Sequence, residues 1–126
     1  MLARLLAALA PKPSPAVERA APLVVAGVAR SPKWPAFEAS FLKGKACLGC
    51  GRKDLLSGHH VRPFHVDRVS ELDPTNIVPL CHGPTFCHFL LGHCNVSWEV
   101  WHPDPKAAAA VFAELLARLK RSAVSR

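Results

Sequence analysis

Four of the five cysteines fall in two pairs, Cys47 and Cys50 in the run CLGCG, and Cys81 and Cys87 in CHGPTFC. A Cys-x-x-Cys turn aims both sulfurs at one ion, and the small neighbours Gly49 and Gly51 relieve its tight backbone. The second pair is wider than the usual spacing of about two to four residues. Its insert, HGPTF, carries a Gly-Pro turn that can fold outward and return the two sulfurs to one point. Four thiolates around zinc leave no open coordination position, so such an ion would hold structure and leave chemistry to other residues. A thiol redox pair on Cys47 and Cys50 is a rival reading, but it leaves Cys81 and Cys87 without a purpose. Cys94 is a spare thiol beside His93.

The residues able to do chemistry are imidazoles. His59, His60, His88 and His93, with Asn76 between them, lie between and after the cysteine pairs at a density that a structural zinc turn does not need. In a strand, the adjacent His59 and His60 point to opposite sides, so one can ligate a metal while the other faces water or substrate. His88 and His93 are five apart, an imperfect match to the helical i, i+4 spacing that still permits convergence at a helix end. His65, His82 and His102 have no motif partner and read as surface or loop histidines. Trp98 and Trp101 read as packing residues rather than base-stacking platforms.

The elements that must position these side chains are short. Pro35 to Leu42 carries Phe37, Phe41 and Leu42 at helical spacing, with Pro35 suited to the first turn and Gly44 to the stop. Alternation from Leu56 to Val61 predicts a strand closed by Pro63, and Ile77 to Leu80 predicts a second one running into Cys81. Asp67 to Pro74 has room for one helical turn, and Cys87 to His93 reads as a short helix. The clearest helix starts after Asp104, its cap, with Pro105 in the first turn. Its expected apolar stripe is Ala107, Val111, Phe112, Leu115, Leu116 and Leu119, supported by an i, i+4 pair of Glu114 and Arg118. That stripe should complete the core, a homodimer interface being the alternative. Residues 1–10 could form a short helix ended by Pro11, Pro13 and Pro15, and Ala20 to Ala29 could be strand or buried helix.

Composition bounds the reading without deciding it. A chain of 126 residues suits one modest core with arms, divided here into an N-terminal arm (1–29), a central domain (30–103) and a C-terminal helix (104–126) packed on that domain. The net charge is +7, but residues 30–103 hold eight Lys or Arg against six Asp or Glu, so most of the excess lies in the flanks. Charge alone is therefore weak evidence for nucleic acid. The apolar run in MLARLLAALAPKP is about six residues, short of the roughly 7 to 15 of a secretory core. No stretch approaches the roughly 20 apolar residues of a membrane span. A soluble, cytoplasmic protein without a membrane partner is expected.

Taken in order, CLGCG, LSGHHVRPFHVD, ELDPTNIVPLC and CHFLLGH resemble the HNH endonucleases, particularly the zinc-containing form common among phage and bacterial proteins. The resemblance covers roughly residues 30–102, including the SPKWP lead-in, and leaves the arms unexplained. It implies an α+β fold with a small ββα-metal (His-Me finger) core stapled by the four-Cys zinc and flanked by helices. It also implies hydrolysis of DNA phosphodiester bonds, with His60 as general base and Asn76 as the orienting amide. His59 and His88 would ligate a catalytic divalent metal, with His93 as a third ligand, and Arg62 or Lys53 could position the phosphate backbone. Many relatives have Asp where this chain has His59, whereas the nuclease colicins have a His pair. An imidazole there turns the site towards Zn, Ni, Co or Mn beside the usual Mg. The wide Cys81 to Cys87 gap departs from the common CxxCH. The resemblance leaves open a homodimer and phage or mobile-element partner proteins. The main rival is a non-catalytic zinc module on the same scaffold that binds DNA or a protein.

Overall fold

The computed structural model describes residues 24–25 and 28–124. The expected helix over residues 1–10 and most of the arm 1–29 lie outside the described residues. Within the stretch from Ala20 to Ala29, which periodicity leaves undecided, β1 (Val24–Val25) and β2 (Val28–Ala29) pair antiparallel.

α1 spans Trp34–Leu42, with Pro35 in its first turn and Gly44 beyond its end at φ +71°, a left-handed conformation that suits glycine. It lies on β3 (Leu56–His60) through Gly58. A Cβ on that residue would come within 3.1 Å of Ile77 and 3.3 Å of Trp34. The Gly58 amide donates to the Glu38 carboxylate at 3.0 Å, which fixes the helix on the strand.

β3 pairs antiparallel with β4 (Ile77–Cys81), His60 opposite Ile77, His59 opposite Val78 and Leu56 opposite Cys81. Every residue of β4 is buried. Pro79 sits in its middle, which a two-stranded sheet allows because an edge residue need not donate to a ladder. Its carbonyl accepts the Leu48 amide at 3.0 Å and so ties the first cysteine turn to the strand. Two 3₁₀ turns, Arg68–Ser70 and Pro74–Asn76, occupy the connection between the strands, where one helical turn is expected.

After β4 come a Gly83 to Phe86 turn and a π-helical turn, His88–Gly92, in place of the expected short α-helix. α2 (Pro105–Val124) closes the chain. Asp104 caps it, its carboxylate accepting the Ala107 amide at 3.0 Å.

The stripe expected on α2 is only partly the buried one. Pro105, Ala109 and Phe112 are buried and Leu116 packs beside them, while Ala107, Val111 and Leu115 face outward. The reason is the surface they meet. Ala109 and Phe112 join Cys47, Val78, Leu80, Cys81 and Cys87 in one apolar cluster, and the small Ala109 lets the helix approach the sulfurs closely. The chain is thus a small mixed structure of helices and two-stranded sheets, with four cysteines near one another, three of them buried. Among the described residues, no helix is long and apolar enough to cross a membrane.

Candidate metal centres

Cys47, Cys50, Cys81 and Cys87 bring their sulfurs within 4.8 Å of one another and could hold a metal ion such as zinc. Cys50 Sγ and Cys81 Sγ are 3.6 Å apart. Zn–S bonds of about 2.3 Å in a tetrahedron place sulfurs roughly 3.8 Å apart, so the cluster fits the ion. The backbone prepares it. Gly51 donates to the Cys47 carbonyl at 2.9 Å and takes φ +80°. Gly49 is small for want of room, since a Cβ there would meet Leu91 at 2.8 Å and the Cys87 sulfur at 3.0 Å. Across the sheet, Phe86 donates to the Gly83 carbonyl at 2.8 Å, so the wide second spacing is absorbed by the Gly-Pro turn.

The cluster's electrostatics ask for a cation. Hydrogen bonds from the Cys81 and Cys87 thiols hold Cys47 well below the usual thiol range, aided by the Cys81 amide, which lies 3.3 Å from the Cys47 sulfur. The same sulfur contact, with burial, pushes Cys81 up to about 11, and Cys87 is raised as well by its two sulfur neighbours. One thiolate is thus stabilised by protons on the others, and a divalent ion would replace those protons.

The second cluster is made of histidines. His59, His88 and His93 bring one nitrogen each within 4.8 Å of the others, and all three are buried. His59 comes from the strand, His88 from the π turn and His93 from its C-terminal end. In an α-helix, residues five apart diverge; the wider i→i+5 winding of a π turn sets them over one another. His93 Nδ1 donates to the Val100 carbonyl at 2.7 Å, which leaves Nε2 bare and fixes the ring as metal-ligand imidazoles are fixed. Among the described residues, the buried His59 Nε2 has no hydrogen-bond partner. Gly92 makes room for that ring, since a Cβ there would come within 2.7 Å of His59 Nδ1. Burial holds His59 and His88 well below the usual imidazole range, and lowers His93 to about 4. Neutral, converging imidazoles of this kind fit a metal.

His60 stands apart from this trio. It stacks on Trp34 with ring centroids 4.6 Å apart, and its Nε2 donates to the Glu71 carbonyl at 2.8 Å. A carbonyl only accepts, so Nε2 carries the proton and Nδ1 keeps its lone pair. Burial lowers the pKa of His60, with the bond to Glu71 opposing it. Asn76 does not touch the imidazole through a hydrogen bond. Its side chain accepts the Arg62 amide at 2.9 Å and donates to the Arg62 and Ser70 carbonyls at 3.0 and 3.2 Å. It therefore ties the Arg62 backbone, two residues after His60, to the Ser70 carbonyl beside Glu71.

A cleft joins the two sets, lined by His59, His60, His88 and His93 with Arg30 and Phe64 among its walls. Arg62 and Lys53, the cations suggested by the sequence, are elsewhere: Arg62 is largely exposed beside Asp67 at 3.5 Å, and Lys53 is exposed. His65 borders the cleft and meets the Trp101 ring edge-on at 5.5 Å. His82 Nδ1 lies 2.9 Å from Ser57 Oγ, and His102 accepts the Asp104 amide at 2.9 Å. Trp98 packs on Phe86, Phe89, His88 and His93. Cys94 is exposed, away from the sulfur cluster.

Two residues escape sequence reasoning: Arg30, which lines the cleft, and Glu71, whose carbonyl accepts from His60. Arg30 precedes the SPKWP lead-in, and Glu71 lies in a loop; only folding brings them together. The Glu71 carboxylate accepts the Ser31 amide at 2.7 and 3.2 Å, across 40 residues of sequence. Comparison with protein-family models, curated proteins and solved structures finds no match to this chain.

Proposed function

We propose that the chain is a metal-dependent endonuclease of the HNH type that hydrolyses DNA phosphodiester bonds. One observation carries the reading: a neutral imidazole with a bare nitrogen, His60, shares a cleft with three buried imidazoles suited to a metal. A merely structural zinc module has no use for the second set. Support also comes from the order of elements, in which β3, β4 and the His88–Gly92 turn follow the sequence of a ββα-metal core.

In this reading, Cys47, Cys50, Cys81 and Cys87 hold a structural zinc. His59, His88 and His93 hold the catalytic ion, and the all-imidazole set favours Zn, Ni, Co or Mn over Mg. When bound, that ion would supply positive charge to the phosphoryl oxygens and to the departing 3′ oxygen. The protein's own steps are proton handling and positioning. His60 Nδ1 accepts a proton from the water whose oxygen attacks phosphorus. The P–O3′ bond breaks as the new P–O bond forms, leaving a 5′ phosphate, and the 3′ oxygen takes a proton from solvent. Glu71 keeps the accepting nitrogen the same one throughout by holding the proton on Nε2. Asn76 keeps the loop, and with it the Glu71 carbonyl, in place.

The test is His60→Ala on an end-labelled duplex. Cleavage should fall by a factor of about 100 or more while zinc content and fold persist, and wild-type products should carry 5′ phosphates. Undiminished cutting by the variant would remove His60 from the role; a wild type that binds duplex without cutting it would favour the non-catalytic zinc module.

A further inference from the structure

Trp101 is the tryptophan that core packing does not account for. Trp34 is 4% exposed and stacks on His60, and Trp98 packs on Phe86, Phe89, His88 and His93. Trp101 is 37% exposed, and its ring contact among the described residues is with His65. We infer that Trp101 is a stacking platform for an unpaired nucleobase of the strand whose phosphate enters the cleft. The inference rests on the nuclease reading for the identity of the ligand, and on the arrangement of rings for the site. The His60 and Phe64 centroids lie 6.1 Å apart, those of Phe64 and His65 6.3 Å, and those of His65 and Trp101 5.5 Å. His60, Phe64 and His65 all line the cleft, so the row leads from the proposed base along the cleft wall to an indole open to solvent.

The backbone fixes the indole relative to the histidine site. Val100, just before it, accepts His93 Nδ1 on its carbonyl at 2.7 Å, and His102, just after it, donates its amide to the Gly92 carbonyl at 2.8 Å. Gly92 is also the residue that leaves room for the His59 ring. Trp101 is therefore held between two bonds to the residues that build the histidine cluster. Its own segment, residues 94–105, holds neither Lys nor Arg, so what it offers a nucleic acid is a ring rather than a cation. A broad apolar ring takes the face of a base, and every base has one. In an intact duplex those faces are covered by the neighbouring pairs. The platform thus favours DNA whose bases are unpaired beside the scissile bond.

The test measures binding separately from cutting, with zinc-loaded protein in the His60→Ala background and no other divalent metal added. A fluorescein-labelled single-stranded DNA, and an abasic strand of the same length and charge, are each titrated at several salt concentrations with Trp101, Trp101→Ala and Trp101→Phe proteins. Trp101→Ala should weaken binding to the base-bearing strand about 5- to 100-fold, and leave the slope of log affinity against log salt unchanged because no charge is lost. Binding to the abasic strand should stay as it was. Trp101→Phe should recover most of the affinity, since it keeps a ring face. Equal affinity of the Ala and Trp101 proteins for the base-bearing strand would overturn the assignment. So would an equal loss on both strands, which is what a purely structural Trp101 gives. Should the Ala protein lose its zinc or helix signal, Trp101→Leu takes its place, keeping apolar bulk against His65 without a ring face, and the same results decide. A chain that leaves plasmid intact yet prefers the base-bearing strand through Trp101 would sink the nuclease reading and keep this site. A chain that cuts, with binding indifferent to Trp101, would do the reverse.

Discussion

The carbonyl oxygen of Glu71 receives the Nε2 proton of His60 at 2.8 Å, while the carboxylate of the same residue receives the Ser31 amide at 2.7 Å. Glu71 is itself buried, so its carboxylate cannot exchange that amide for water. Replacing it by Ala leaves the carbonyl in the chain but strands the Ser31 N–H and frees the segment bearing Arg30. Glu71→Ala should cost about 1 to 3 kcal/mol of stability, read from the denaturant midpoint. An unchanged midpoint would mean that the contact contributes no net stability.

The His59 ring has its place only because residue 92 lacks a side chain. Gly92→Ala puts a methyl group within 2.7 Å of Nδ1, and the ring is the part that must move. Metal affinity at the histidine site should drop by about 10- to 100-fold, with zinc at the cysteines retained, as measured by titrating Co²⁺ or Ni²⁺ into zinc-loaded protein. Gly44→Ala is the control: it meets nothing within 4 Å and bears only the strain of φ +71°. It should cost about 1 kcal/mol and leave both metals alone.

Acid should destabilise the protein whose histidine site is free of metal. In the unfolded chain the imidazoles titrate near pH 6.5. In the folded chain burial holds His59 and His88 well below that value, and His93 at about 4. As pH falls below about 6.5 the unfolded state binds protons that the folded state refuses. The stability owed to these neutral rings is therefore full above that pH and is lost as pH falls towards the folded-state values. Melting temperature should decline between about pH 6.5 and 5, above most of the carboxylate range. A flat melting temperature across that window would contradict the burial of the trio.

Local features were legible in the sequence and non-local ones were not. The Cys47 to Cys50 turn, the Asp104 cap and the strand bearing His59 and His60 each depend on neighbours in the chain, and each is found. The buried face of α2 departs from the expected stripe at Ala107, Val111 and Leu115 because a stripe is chosen by its partner. Here that partner is a bed of sulfurs whose shape only the fold supplies. His88 and His93 are imperfectly spaced for an α-helix, and the π turn removes the mismatch. Asn76 is expected as the orienting amide, yet its side chain bonds the Arg62 and Ser70 backbone, and the bond that orients His60 comes from a backbone carbonyl, which residue type cannot announce. The tie between Ser31 and Glu71 is illegible in the sequence for the same reason, since it spans 40 residues of chain.

The central claim is that this cleft cuts DNA. Its most direct measurement is the conversion of supercoiled plasmid by the zinc-loaded protein after mild EDTA treatment, with Mg²⁺, Mn²⁺, Ni²⁺ or Zn²⁺ added back and His60→Ala run beside it. The account predicts an intact plasmid in EDTA, nicked or linear product with Mn²⁺, Ni²⁺ or Zn²⁺ ahead of Mg²⁺, and loss of that product in the variant. Plasmid left supercoiled by folded, zinc-loaded wild type with every metal, or cut equally by His60→Ala, would contradict it.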